Sequence, residues 1–83
     1  MFINKAADGK NNICGKAVAN FRKDKGLSQR ELADRLQMIG MDVDKNAIQR
    51  IEAGLRFVTD IELCFLCRAL DVSITQLLFN SGR

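Results

Sequence analysis

The sequence contains no proline, tryptophan, tyrosine or histidine. Without histidine, the chain lacks the commonest general base and the commonest metal ligand of proteins. Without proline, no position has to interrupt a helix. No apolar run approaches the ~18 residues of a membrane-spanning helix, and the first ten residues lack the apolar block of a secretory signal. We therefore expect a helical, cytoplasmic protein with no membrane partner.

Cysteine is scarce as well, since the chain has three. An odd number argues against a closed disulfide framework. Cys64 and Cys67 form a C-x-x-C motif, but they lie within an apolar helical pattern, and only Cys14 remains to complete a metal site. We interpret Cys64 and Cys67 as small buried apolar side chains. No catalytic constellation or glycine-rich phosphate loop is recognisable, so we expect no enzyme, metal, cofactor or small-molecule ligand.

Charge is concentrated at one end of the chain. The net charge is +3, yet residues 1–30 alone carry seven Lys or Arg against two Asp. The remainder of the chain is slightly acidic. A basic surface of this kind fits phosphate binding and an ordinary solvated helix face equally well.

Helix-start signals divide the chain into short helices. Three Ser/Thr-x-x-Glu/Gln capping boxes begin at Ser28, Thr59 and Ser73, and Asp44 is a fourth candidate cap. Glycines at 26 and 54 predict helix ends. We predict one all-α domain over residues 13–83, preceded by a flexible arm over residues 1–12. The predicted helices span about residues 14–25, 28–39, 45–53, 60–70 and 74–79.

The third predicted helix has two different faces. On a helical wheel, Ala47, Ile48 and Ile51 fall on one side. The opposite side carries long polar side chains and no acid: Lys45, Asn46, Gln49 and Arg50. Arg and Lys can donate to guanine in a major groove, and Asn and Gln can bond to adenine. A solvated surface is the alternative interpretation.

Two opposite charges lie beside apolar faces. Arg22 follows Val18 by one helical turn, and Glu52 follows Ile48 in the same way. A lone buried charge is strongly disfavoured, so the two positions suggest an ion pair between the first and third helices. Each side chain could instead extend separately into water.

The fourth predicted helix, residues 61–70, is apolar nearly all round, and a small domain cannot easily bury every side of it. One interpretation is that a partner subunit covers part of an apolar surface formed by Phe65, Leu66, Leu77, Leu78 and Phe79. The other is that the N-terminal arm, with Phe2 and Ile3, folds over that surface.

Three motifs in register resemble one known family. They are Gly26-Leu27-Ser28-Gln29, Glu31-Leu32-Ala33 and Ile48-x-x-Ile51-Glu52-x-Gly54. With the closing segment Ala69-Leu70-Asp71-Val72-Ser73, the match extends over about residues 13–79. The chain resembles the lambda-repressor/Cro-like helix-turn-helix family, also called the xenobiotic-response-element family.

The resemblance implies a five-helix lambda-repressor-like domain whose second and third helices form the helix-turn-helix. It implies that double-stranded DNA is the partner, that the protein is a homodimer, and that Arg22 and Glu52 form a structural salt bridge. The implied DNA-binding residues are Gln29 and Arg56 at the phosphates or groove edge, and Lys45, Asn46, Gln49 and Arg50 at the bases. One departure is the long interval from Leu32 to Ile48, which predicts a turn longer than usual.

Two functions fit this sequence. The first is a sequence-specific DNA-binding transcriptional regulator, repressor-like, that places the third helix in the major groove. The second is a protein-interaction module, such as an antitoxin or adaptor, with weak or no DNA binding. The modest net charge and the acids Asp42 and Asp44 beside the third helix favour the second; the acid-free outer face favours the first.

Overall fold

Five helices account for most of residues 9–79, the part of the chain that the computed structural model describes. No strand occurs within that range. The helices are α1 (Gly15–Asp24), α2 (Gln29–Met38), α3 (Lys45–Glu52), α4 (Asp60–Leu70) and α5 (Ile74–Phe79). The predicted all-α, five-helix fold is confirmed, and the predicted helix ends agree with the observed ones to within a residue.

The predicted helix caps are confirmed. Ser28 Oγ accepts from the backbone N–H of Glu31 (3.0 Å), and the Glu31 carboxylate accepts from the Ser28 N–H (2.8 Å). The boxes that begin at Thr59 and Ser73 have the same reciprocal bonds. Asp44 Oδ1 accepts from the N–H of Ala47 (2.8 Å). Each cap satisfies backbone donors that have no partner inside the helix, so the polar sequence between the apolar stripes defines where each helix begins.

α3 lies against α1 and α2, α4 packs on the same two helices, and α5 packs on α1 and α4. The core contains one apolar stripe from each helix. Its fully buried members are Cys14, Val18, Leu32, Leu36, Ile48, Ile51, Leu66, Leu70 and Leu77. The helical periodicity of the apolar residues therefore determines which side of α3 remains outside.

The long turn between α2 and α3 is tied to the core. Met41 and Val43 are each only 4% exposed, and Gln37 Nε2 donates to the Val43 carbonyl oxygen (2.6 Å). The additional residues therefore lengthen the turn, and α2 still ends at Met38. The buried side chains of Met41 and Val43 hold this turn in one conformation, and the turn in turn positions the start of α3.

Two expectations from the sequence need correction. Cys64 is exposed, since Leu66, Ala69 and Leu70 occupy the buried side of α4; it is therefore not a buried apolar side chain. Leu66 and Leu77 are fully buried in this chain's own core, so neither can cover a partner subunit.

The remaining residues of that apolar surface are distributed differently. Phe65 and Leu78 are half-buried, and Phe79 is 69% exposed. The alternative in which Phe2 and Ile3 cover α4 concerns residues outside the described range.

The C-terminal end of the arm expected over residues 1–12 makes hydrogen bonds with the helical part of the chain. Asn11 N–H donates to the Gly54 carbonyl oxygen (2.8 Å), and Asn12 Oδ1 accepts from the N–H of Gly15 (2.8 Å). Residues 10–12 therefore belong to the folded domain. Residues 1–8 lie outside the described part of the chain.

Candidate nucleic-acid interface

The outward face of α3 is the largest set of unengaged polar side chains in the domain's helix-turn-helix. Lys45, Asn46, Gln49 and Arg50 are all exposed, whereas Ile48 and Ile51 on the opposite face are fully buried. Within residues 9–79, none of those four polar side chains has a hydrogen bond or ion pair with another residue. Their amide, ammonium and guanidinium donors are therefore available to a ligand that lies along the helix.

The N-terminal end of α3 carries its own anion. The Asp44 carboxylate occupies the position where a helix N-terminus would otherwise attract a phosphate. Asp44 also lines a shallow cleft of about 340 Å³ with Arg30, Asp34, Gln37 and Lys45, and the charges in this cleft are mixed. The start of α3 is consequently unsuited to a phosphate contact, and its polar side chains are suited to a neutral base edge.

Glu52 connects three helices at the other end of α3. Its Oε2 accepts from Arg22 Nε (2.7 Å), and its Oε1 accepts from Arg22 Nη2 (3.1 Å) and Gln29 Nε2 (2.9 Å). Arg22 Nη1 also donates to the Leu27 carbonyl oxygen (2.7 Å). The side chains of the ion pair are only 11% and 9% exposed. α1, α2 and α3 therefore meet at one buried carboxylate.

Gln29 has a more specific position than the sequence suggested. It is half-buried at the start of α2, and one of its two amide hydrogens is directed to Glu52. The second amide hydrogen remains available to an acceptor such as a phosphate oxygen. The structure thus brings Gln29 to α3 but gives its side chain a protein partner as well.

Arg56 is paired with Glu62. Arg56 Nη1 donates to Glu62 Oε1 (3.0 Å) and to the Phe57 carbonyl oxygen (3.1 Å), and Nη2 donates to Glu62 Oε2 (2.9 Å). The bonds from Arg56 lower the pKa of Glu62, and the bond to Glu62 raises the pKa of Arg56. Three of the five guanidinium N–H donors are used, which leaves two for another acceptor.

Two of the cysteines have thiols that burial keeps protonated. Burial raises the pKa of Cys14 to about 11, and burial also raises the pKa of Cys67, so neither thiol ionises readily. Among residues 9–79, no three Cys, Asp or Glu side chains are close enough together to hold a metal ion. No helix in that range is both long and apolar enough to cross a bilayer.

The fold and the exposed face of α3 together define a helix-turn-helix DNA-binding domain. A family model described as "Helix-turn-helix" matches residues 18–77, and the chain belongs to this Cro/C1-type family. The chain is accordingly a DNA-binding transcription regulator of the Cro/C1 type. No curated protein shows significant similarity to it.

The solved structures that are similar to this chain include two regulatory proteins. The clp gene regulator ClgR from C. glutamicum is 32% identical with a TM-score of 0.69, and the match covers 80% of this chain and 79% of that one. The restriction-modification controller protein C.AhdI from Aeromonas hydrophila is 30% identical with a TM-score of 0.66, and the match covers 76% of this chain and 84% of that one.

Proposed function

We propose that this regulator binds a specific operator sequence by placing α3 in the major groove, and that it acts as a repressor by occupying that site. One observation carries the proposal: α3 presents Lys45, Asn46, Gln49 and Arg50 to solvent, with no acid among them and no protein partner within residues 9–79. These side chains match the donor and acceptor patterns of guanine and adenine.

The other predicted DNA contacts have separate roles. Gln29 donates its free amide hydrogen to a phosphate at the groove edge, and Arg56 donates its two remaining N–H groups to the DNA backbone. Such contacts supply affinity and register but little sequence choice. Arg22 and Glu52 touch no DNA in this proposal, and they stabilise the domain.

A homodimer would give this small domain a second half-site. Several exposed apolar side chains are available for such a contact. They are Leu55, Phe57, Ile61, Ile74 and Phe79, which are between 40% and 69% exposed. Sedimentation of the wild type and of Phe57→Ser and Phe79→Ser would test the homodimer. Loss of the dimer in one variant identifies the residue at the dimer interface. A wild-type protein that is still monomeric at micromolar concentration when bound to DNA refutes the homodimer.

The DNA proposal is tested by selecting bound duplexes from a random library and then measuring affinity for the selected duplex across a salt series. Arg50→Ala should cost roughly 1–3 kcal/mol at one base pair and relax the preference there. Arg68→Ala is the matched control, because it removes the same charge from an exposed position on α4. No complex at low salt with the wild type would refute operator binding.

The second candidate is a protein-interaction module, such as an antitoxin or adaptor. The observations that favour it are the pairing of Arg56 with Glu62 and the carboxylate of Asp44 at the start of α3, since both reduce the positive charge available to DNA. The same salt series separates the candidates, because an interaction module would show no selected sequence and no salt-dependent complex with DNA.

A further inference from the structure

The C-terminal end of α3 is held by a short segment that precedes α1. We call this segment, residues 10–12, the N-terminal strap. The strap donates hydrogen bonds to the backbone carbonyl groups of the turn that follows α3. Three of its bonds are Lys10 Nζ to Ala53 O (3.2 Å), Asn11 N to Gly54 O (2.8 Å) and Asn11 Nδ2 to Leu55 O (2.9 Å).

Asn12 makes the central contacts of the strap. Its Nδ2 donates to the carbonyl oxygens of Ile51 (3.1 Å) and Arg56 (2.7 Å), while its Oδ1 accepts from the Gly15 N–H (2.8 Å). One side chain therefore accepts from the first N–H of α1 and donates both to the last turn of α3 and to Arg56 beyond it. No hydrophobic side chain of similar size could make these three bonds.

The backbones of α1 and α3 meet directly beside Asn12. Gly15 is buried, and a Cβ atom at this position would collide with the Ile51 carbonyl oxygen. Gly54 ends α3 with a φ of 78°, and a Cβ there would meet the Lys10 side chain. Gly15 is required for the close approach of the two backbones, whereas Gly54 is favoured by its positive φ.

This junction lies next to residues that we assign to DNA. The Leu55 N–H closes the end of α3 on the Arg50 carbonyl oxygen (2.9 Å), and the next residue is Arg56. The strap thus fixes the segment in which the last base-facing side chain and the phosphate-binding arginine lie. A small rotation of α3 would move Asn46 and Arg50 relative to a groove, because both extend from its outer face.

We propose that Asn12 is a positioning residue for sequence recognition: it holds the turn after α3 so that the outer face of α3 reads the operator. Asn12 acts through α3 and does not touch DNA. The inference rests on the proposed operator binding.

Asn12→Asp separates the two halves of the contact. An aspartate keeps the oxygen that caps α1, but it replaces the Nδ2 donor with an oxygen directed at two carbonyl groups. We expect the ratio of affinities for the selected duplex and a random duplex to fall by about ten-fold, which corresponds to about 1.4 kcal/mol. The readout is fluorescence anisotropy at a temperature where circular dichroism shows each protein to be folded.

Ser73→Ala is the matched control. It also removes one helix cap, but that cap belongs to α5, which packs mainly on α1 and α4. We expect the control to lower the melting temperature and leave the affinity ratio unchanged. An unchanged ratio in Asn12→Asp overturns the positioning role, since a purely structural residue would lower only stability.

A milder variant keeps the test decisive if Asn12→Asp is unfolded at the assay temperature. Asn11→Ala removes only the side-chain bond to Leu55, and we expect a smaller fall of the ratio. An unchanged ratio in folded Asn11→Ala would then overturn the proposal. A wild-type protein that binds no duplex at low salt overturns the proposed function and this inference together, whereas specific wild-type binding with unaffected variants overturns this inference alone.

Discussion

The two arginine–glutamate pairs of this domain have the same chemistry and different environments. Arg22 and Glu52 join α1 to α3 and are 11% and 9% exposed, whereas Arg56 and Glu62 join the loop after α3 to α4 and are 30% and 21% exposed. The first carboxylate also accepts a bond from Gln29, so its charge is fully satisfied within the core. A buried pair becomes costly when one partner is lost, and a half-exposed pair can exchange its partner for water or another anion.

This difference in burial gives the two pairs different roles. Arg22 lies beside buried Val18 on α1 and also donates to the Leu27 carbonyl oxygen. If it moved away, the Glu52 carboxylate would remain in the protein interior without its partner. Arg56 retains two unused donors and partial contact with solvent, so it can contact phosphate without disrupting the core. We infer that the buried pair sets the position of α3 and the exposed pair tunes DNA affinity.

The largest expected effect comes from breaking the buried pair. Glu52→Ala removes the acceptor of Arg22 and Gln29 and leaves a guanidinium buried, which should lower the free energy of unfolding by roughly 3–5 kcal/mol. Thermal and urea unfolding measure it. Glu31→Ala is the control, because that carboxylate only closes a surface cap at Ser28. Equal melting temperatures for the two variants would contradict a structural role for the buried pair.

The next effect concerns DNA and the exposed arginine. Arg56→Ala should weaken binding to every duplex by a similar factor and reduce the slope of log affinity against log salt by about 1. The selected and random duplexes measured across the same salt series give both quantities. A loss confined to the selected sequence would show that Arg56 reads bases, and the contrast between the two pairs would then be wrong.

A smaller effect follows when Arg56 is released from its partner. Glu62→Gln removes the competing carboxylate, so binding to random duplex should strengthen by a few-fold, while stability should fall by about 1 kcal/mol or less. Asp71→Asn changes the charge equally at an exposed position after α4 and serves as the control. If both variants strengthen binding to the same extent, the gain comes from net charge alone and the pair does not restrain Arg56.

The smallest effect is the pH dependence of the exposed pair. The bonds from Arg56 lower the pKa of Glu62 from its usual 4.5, so the folded state favours the ionised form. This contribution is fully present above pH 4.5 and is lost as the pH falls through the lowered pKa of the folded state. The difference in melting temperature between wild type and Glu62→Gln should therefore shrink in acid. A constant difference between neutral pH and about pH 3 would exclude a role for ionised Glu62.

Local sequence signals were sufficient for the helices and for one face of α3. Ser28, Asp44, Thr59 and Ser73 act through bonds to backbone groups within three residues, so tertiary structure is not needed to recognise them. The helical period likewise separates Ile48 and Ile51 from the polar side of α3. Both kinds of signal depend on neighbours in sequence.

Long-range contacts could not be predicted in the same way. Nothing near Asn12 in sequence indicates that it binds Ile51 and Arg56, which are 39 and 44 residues away. The partner of Arg56 is not evident from the sequence either, because Glu62 fits the capping box at Thr59. Its carboxylate accepts from the Thr59 N–H and from Arg56 at the same time. The apolar character of residues 61–70 could not indicate that Leu66 is enclosed while Cys64 is exposed.

The sequence by itself determined the helices, their caps, the helix-turn-helix family and the polar composition of the face offered to DNA, because these depend on interactions along one helix. The tertiary structure decided which charges are buried, how the long turn is anchored and how the N-terminal strap holds the end of α3. Those features depend on the distance between groups that are remote in sequence. Only the packing of α1 against α3 brings Asn12, Arg22 and Glu52 together at the end of α3, the helix that we propose reads DNA.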